Sequence, residues 1–186
     1  MPDSQNTTVD SCFDAAAALL LQGEAFLQGV SDSQYCQSVP EVFDATIGGH
    51  YRHFLDHFQI VLDARPGGVV RYHHRERDRE IETSVGRALE RTRQLVHRLK
   101  ELEFQPGSAP LEVHDTLSAD PEDPPQSCTS SIERETLYAV HHAVHHFALI
   151  RVMGGPMGLE FPDGFGVAAS TRCHQRTVEE AKGSGR

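Results

Sequence analysis

Residues 131–153 read SIERETLYAVHHAVHHFALIRVM, with four histidines, His141, His142, His145 and His146, set among aliphatic neighbours. Ser131 carries a side chain suited to a helix N-cap, and Glu133 and Glu135 fall where the positive end of a helix dipole favours acids. GGPMG then breaks the run. A helix over residues 131–153 is expected. Each helical residue advances about 100°, so His142 and His146 lie about 40° apart, one turn along the same face. Two imidazoles so placed can grip one cation. His141 and His145 repeat the spacing about 100° further round. Ala139, Leu149 and Met153 lie within about 60° of His142, with Glu133 and Arg151 opposite, which favours His142 and His146 as the inward pair. Val140, Val144 and Phe147 fall toward the far side. They leave a second apolar surface for another helix or a second subunit.

Three earlier segments also read as helices. Residues 10–30 are rich in Ala and Leu and stop near Gly29. Residues 46–63, TIGGHYRHFLDHFQIVLD, place Ile47, Phe54, Phe58 and Val61 at helical spacing, with Arg52, Asp56, Gln59 and Asp63 on the wet side. Residues 83–102 carry a stripe of Val85, Leu89, Val96, Leu99 and Leu102. Between the second and third lies VVRYHHRERDREIETS, read as a charged connector. Between the third and fourth lies a long crossover rich in Pro, Asp and Ser, in which LEVHDTL alternates as a short strand does. Four long helices with one long crossover predict an all-α protein, a four-helix bundle with a long crossover between helices 3 and 4. The bundle is assigned to residues 10–170, followed by a C-terminal tail, 171–186, expected to fray.

Bulk composition bounds the function. The chain has 186 residues, enough for one domain, with 38% apolar and 24% charged residues. Its formal net charge of −10 argues against nucleic acid or an anionic membrane as partner. No apolar run reaches the roughly 20 residues of a membrane span. MPDSQNTTVD lacks the positive start of a secretory signal, so a cytoplasmic protein is expected. Cys12, Cys36, Cys128 and Cys173 are scattered, without a C-x-x-C, which excludes zinc-ribbon and thioredoxin-like readings.

Two ligands hold a metal poorly. Catalytic zinc-type sites use three protein ligands and leave one position open. The second helix offers His50, His53 and His57. His50 and His57 lie about 20° apart and nearer the apolar face, with His53 on its border, so the helical wheel alone points to His50 or His57. Other signatures fail. HHAVH has zincin spacing, but His142 stands where the glutamate base belongs. No pair of E-x-x-H segments, no G-x-S-x-G and no P-loop occurs. His73 and His74 sit beside Arg75, Arg77 and Arg79 and read as solvated; His97, His114 and His174 carry no signal. Glu135 lies about 20° from His142 but roughly two turns earlier, which suits an outer partner or a substrate contact. Arg75 and Arg77 could fork onto a substrate carboxylate, although an ordinary surface ion pair is the preferred explanation. No catalytic residue is assigned.

Three segments together resemble the DinB-like (YfiT-type) metalloprotein superfamily. TIGGHYRHFLDHF is similar to the start of that superfamily's second helix, where a Ser/Thr-Ile-Gly opening precedes a ligand histidine by seven residues; from Thr46 this gives His53. SSIERETLYAVHHAVHHFALI is similar to its last core helix, whose ligands correspond to His142 and His146. RYHHRERDREIET and FPDGFGVAAST resemble segments of a sub-branch. The resemblance covers roughly residues 10–170. It implies a four-helix bundle, a zinc or nickel ion held by His53, His142 and His146, and a homodimer. It selects His53 where the wheel prefers His50 or His57.

Three neutral imidazoles leave a divalent ion its full charge and an open position. Such an ion acidifies water or holds a thiol as thiolate. The expected partner is a small-molecule substrate or a low-molecular-weight thiol. Thiol transfer, which the resemblance implies, is slightly favoured over hydrolysis. A metal-stabilised binding scaffold without turnover is the non-enzymatic alternative.

Overall fold

The structure, a computed structural model, describes residues 11–40, 43–64, 67–73, 78–102, 110–118, 120 and 122–183. Serine and threonine start its four core helices. Helix α1, Cys12–Leu27, is capped by Ser11; after the short α2, Asp32–Tyr35, helix α3, Ile47–Asp63, is capped by Thr46. After α4, Arg79–Thr83, helix α5, Val85–Glu101, starts on Ser84, and α6, Ile132–Gly154, on Ser131. In α1, α3, α5 and α6 the cap oxygen accepts a backbone N–H three residues on, as with Gly49 onto Thr46 at 2.9 Å and Arg134 onto Ser131 at 3.2 Å. These are the four helices that the periodicity predicts, with ends differing by at most three residues. Helix α7, Ala169–Gly183, runs through most of the stretch assigned to the C-terminal tail.

The all-α expectation is wrong. Seven helices are joined, among the described residues, by two sheets, so the fold is mixed α and β. Strands β1, Ser38–Val39, and β2, Phe43–Thr46, form an antiparallel ribbon leading into α3. Strand β3, Val69–Arg71, pairs in parallel with β4, Leu111–Asp115, which pairs antiparallel with β5, Gln126–Ser130. The strand expected in LEVHDTL is β4. Its partners come from the supposed charged connector and from the polar end of the crossover. Backbone pairing, rather than apolar alternation, makes β5 a strand: four of its five residues are exposed. Val70, Tyr72, Leu111 and Val113 bury the sheet's inner side against Val61 of α3.

The main core lies between α1, α3, α5 and α6 and is aromatic. Tyr35, Tyr51, Phe26, Phe54, Phe58, Phe147 and Phe165 are all fully buried. Phe147 stacks on Phe165 with centroids 4.1 Å apart and meets Phe54 edge-on at 5.1 Å. The far apolar side of α6 is thus covered within the chain, by Phe165 of the following loop and by α1, where a Cβ on Gly23 would meet Phe147 at 3.0 Å. Along α6 the buried residues are Glu135, Thr136, Ala139, Ala143, His146, Phe147, Ile150 and Met153. Their centre lies about 70° from His142 on the wheel. On α3 the aromatic stripe is likewise offset from His50, His53 and His57. The histidines of both helices flank the core along the seam where α3 meets α6.

Candidate metal centre

Five imidazoles meet in that seam. His53, His57 and His142 each offer a ring nitrogen, and the three nitrogens lie within 4.8 Å of one another. The His57 and His142 rings are the closest pair, with centroids 4.1 Å apart, and His53 lies 5.0 Å from each. His146 adjoins the group at 4.8 Å from His53 and 4.5 Å from His142. His146 Nδ1 also faces His50 Nδ1 at 3.0 Å, so one of these rings donates and the other accepts. All three residues selected from sequence, His53, His142 and His146, therefore stand in one cluster. His57, which the wheel offered as an alternative, completes the tightest set of nitrogens. His50, the other alternative, pairs with His146. His141 and His145 are exposed on the outer side of α6.

Burial keeps two of these donors, His146 and His50, neutral. The His146 imidazole is pushed down from 6.5 to about 3, first by burial, then by its neighbours His142, His53, His50 and His145. His50 is lowered by burial and then by His145. An uncharged imidazole presents a lone pair, as zinc, nickel and copper require. The donor set therefore fits a borderline divalent cation. Burial disfavours a proton on His146 or His50.

Two tyrosines wall the cluster. Tyr72, directly after β3, stacks on His57 with centroids 5.0 Å apart and planes 24° apart. Tyr138 of α6 lies nearly parallel to His142, 16° between planes and 5.9 Å between centroids. Tyr72 donates to Glu135 Oε2 at 2.6 Å. The other oxygen of this carboxylate accepts from Ser130 Oγ at 2.5 Å and Arg134 Nη1 at 2.9 Å. Burial, and then the Glu135 carboxylate, push the Tyr72 hydroxyl far above its usual range, so it stays protonated.

The comparisons with known proteins are sparse. No protein-family model matches the chain, and no solved structure does. Among curated proteins it is similar to FK506-binding protein 5 of Rhizopus delemar (strain RA 99-880), at 32% identity over 121 residues. Those residues are 65% of this chain and 31% of that protein, so the chain spans about a third of the length of the relative it matches.

Glu135 was considered in sequence as an outer partner of His142 or a substrate contact; it instead holds Tyr72, whose ring lies on His57. Tyr72 and Tyr138 were not singled out. Tyr72 had no periodic signal, because it follows a strand inside a charged segment. Arg75 and Arg77, considered for a substrate carboxylate, lie outside the described residues, as does His74. His73 is exposed, and His114 pairs with Glu112 at 2.9 Å.

Proposed function

We propose that this chain is a divalent-metal-binding protein of the DinB-like type, in which imidazoles of α3 and α6 hold zinc or nickel. The observation that carries the reading is the convergence of the His53, His57 and His142 nitrogens from two separate helices within 4.8 Å. His53 and His142 belong both to this set and to the set implied by resemblance. The third position falls to His57 by nitrogen spacing or to His146 by resemblance. A divalent cation there supplies Lewis acidity, lowering the pKa of a water or thiol that reaches it. Burial within the chain holds His146 and His50 neutral, and Tyr72 and Tyr138 wall one side of the cluster. Glu135, already accepting three hydrogen bonds, is an anchor rather than a general base.

The activity proposed is a metal-dependent reaction on a small molecule, with transfer of a low-molecular-weight thiol favoured over hydrolysis. We place the protein in the cytoplasm, where its four free cysteines suit a reducing environment, and as a homodimer, the assembly the resemblance implies. No helix among the described residues is long and apolar enough to cross a membrane. The second reading is a metal-stabilised binding scaffold without turnover.

The test is metal analysis of protein purified without a His tag. His53→Ala and His142→Ala should each abolish stoichiometric zinc or nickel, and the reading is lost when both retain it. His57→Ala and His146→Ala then identify the third ligand, by which of them loses metal. Metal-loaded protein given glutathione and a chloroaromatic acceptor separates the activities. Thiol consumption marks transfer, thiol-independent ester cleavage marks hydrolysis, and metal-dependent melting without either marks the scaffold.

A further inference from the structure

Besides its apolar packing, the small sheet is tied to α6 by hydrogen bonds to a buried carboxylate beside the histidine cluster. Glu135 is 1% exposed and lies in the first turn of α6, seven residues before His142. Two of its three donors come from the sheet: Tyr72, just after β3, and Ser130, the last residue of β5. A buried carboxylate is costly unless it is fully hydrogen-bonded, and an apolar contact could join a sheet to a helix as well. The location indicates a more specific use. The ring that Glu135 holds by its hydroxyl is itself buried, and one face of it covers His57. Tyr138 stands 5.4 Å from that ring, 5.9 Å from His57 and 5.9 Å from His142, so the two tyrosines form one wall.

We propose that Glu135 and Tyr72 are positioning residues for the metal centre: the carboxylate fixes the phenol ring against the His57 imidazole, and so sets where His57 stands relative to His53 and His142. This rests on the metal-centre reading above. It gives the sheet a task in that centre, since β3 delivers the ring and β5 delivers a second hydrogen bond to the same carboxylate. Outer partners that orient a metal-binding imidazole contribute to affinity even though they never touch the ion.

Cobalt(II) is a suitable probe, because its visible bands report the number and geometry of its ligands. Metal-free protein is titrated with cobalt, and its melting is recorded without metal. Tyr72→Phe keeps the ring and removes the tie. It should weaken cobalt binding about tenfold or more and alter the bands. Ser130→Ala removes a different hydrogen bond from the same carboxylate. It should lower the metal-free melting temperature and weaken cobalt binding by less than Tyr72→Phe does, because the Tyr72 tie to the carboxylate remains. Glu135→Gln repeats the test should Tyr72→Phe fail to fold. Wild-type affinity and bands in Tyr72→Phe, whatever its melting temperature, overturn the proposal and leave the metal centre standing. A wild-type protein that binds no cobalt, zinc or nickel overturns both.

Discussion

His146 is held neutral where an ordinary histidine would be half charged. Its ring faces His142, His53 and His50, and a proton on any of them opposes a proton on the next. This has a direct thermodynamic consequence. In the folded metal-free protein the ring binds a proton only near pH 3, whereas in the unfolded chain it does so near 6.5. Between those values the unfolded state carries more protons, so stability falls as pH is lowered from about 6.5 toward 3. Urea melts of metal-free protein at pH 7.5, 6 and 5 should show a progressive loss, and His146→Leu should flatten the slope. An unchanged slope in that variant would place the proton uptake elsewhere. At this scale the sequence was informative about membership and weak about roles. Helical spacing picked out His142 and His146 on α6 and His50 and His57 on α3, and resemblance added His53. Which nitrogens meet depends on how far α6 is turned about its axis. Phe147 and Phe165 decide that turn, and Phe165 lies beyond the helix, where periodicity has nothing to say.

Helix α3 shows how one position can determine an element's neighbours. Gly48, in its first turn, packs against the backbone of α4: a Cβ there would lie 2.0 Å from the Glu82 carbonyl oxygen and 2.7 Å from Tyr35 Cε1. Tyr35 donates to the carbonyl of Ile81 at 3.0 Å, closing the same junction from the other side. Gly48→Ala should therefore cost about 1–3 kcal/mol in chemical denaturation, as overpacking does. Gly49→Ala is the contrast. Its nearest neighbour would be the Thr46 hydroxyl at 3.4 Å, and alanine is the better helix former, so stability should hold or rise. Equal losses at the two positions would refute the close approach. The four long helices were legible because cap, stripe and breaker agree in each. The strands were not. Only β4 alternates; β3 is three residues long and β5 is polar and exposed, so both exist through backbone pairing with β4, which for β3 lies about forty residues away.

For the molecule as a whole, the sheet turns a bundle into a mixed fold with a second, smaller apolar cluster around Val61, Val70 and Leu111. The long crossover that suggested a simple bundle is where the sheet's two antiparallel strands come from. A ligand that binds only the folded state raises its stability, by about 2.7 kcal/mol at a free concentration a hundred times Kd. Zinc or nickel should thus raise the melting temperature by several degrees, and a chelator should reverse it. Some of this gain is lost to histidines of the unfolded chain that also bind metal. Identical melting with and without metal, in protein shown free of it beforehand, would count against the centre.

The imidazoles border the aromatic interior instead of interrupting it. Phe54 and Phe147 hold α3 to α6 with their own edge-on contact, one step inward from the seam. Architecture and chemistry are therefore separable in this protein. A lineage could trade one ion for another, or abandon ions altogether, by changing a few residues along the rim, and inherit the same scaffold each time.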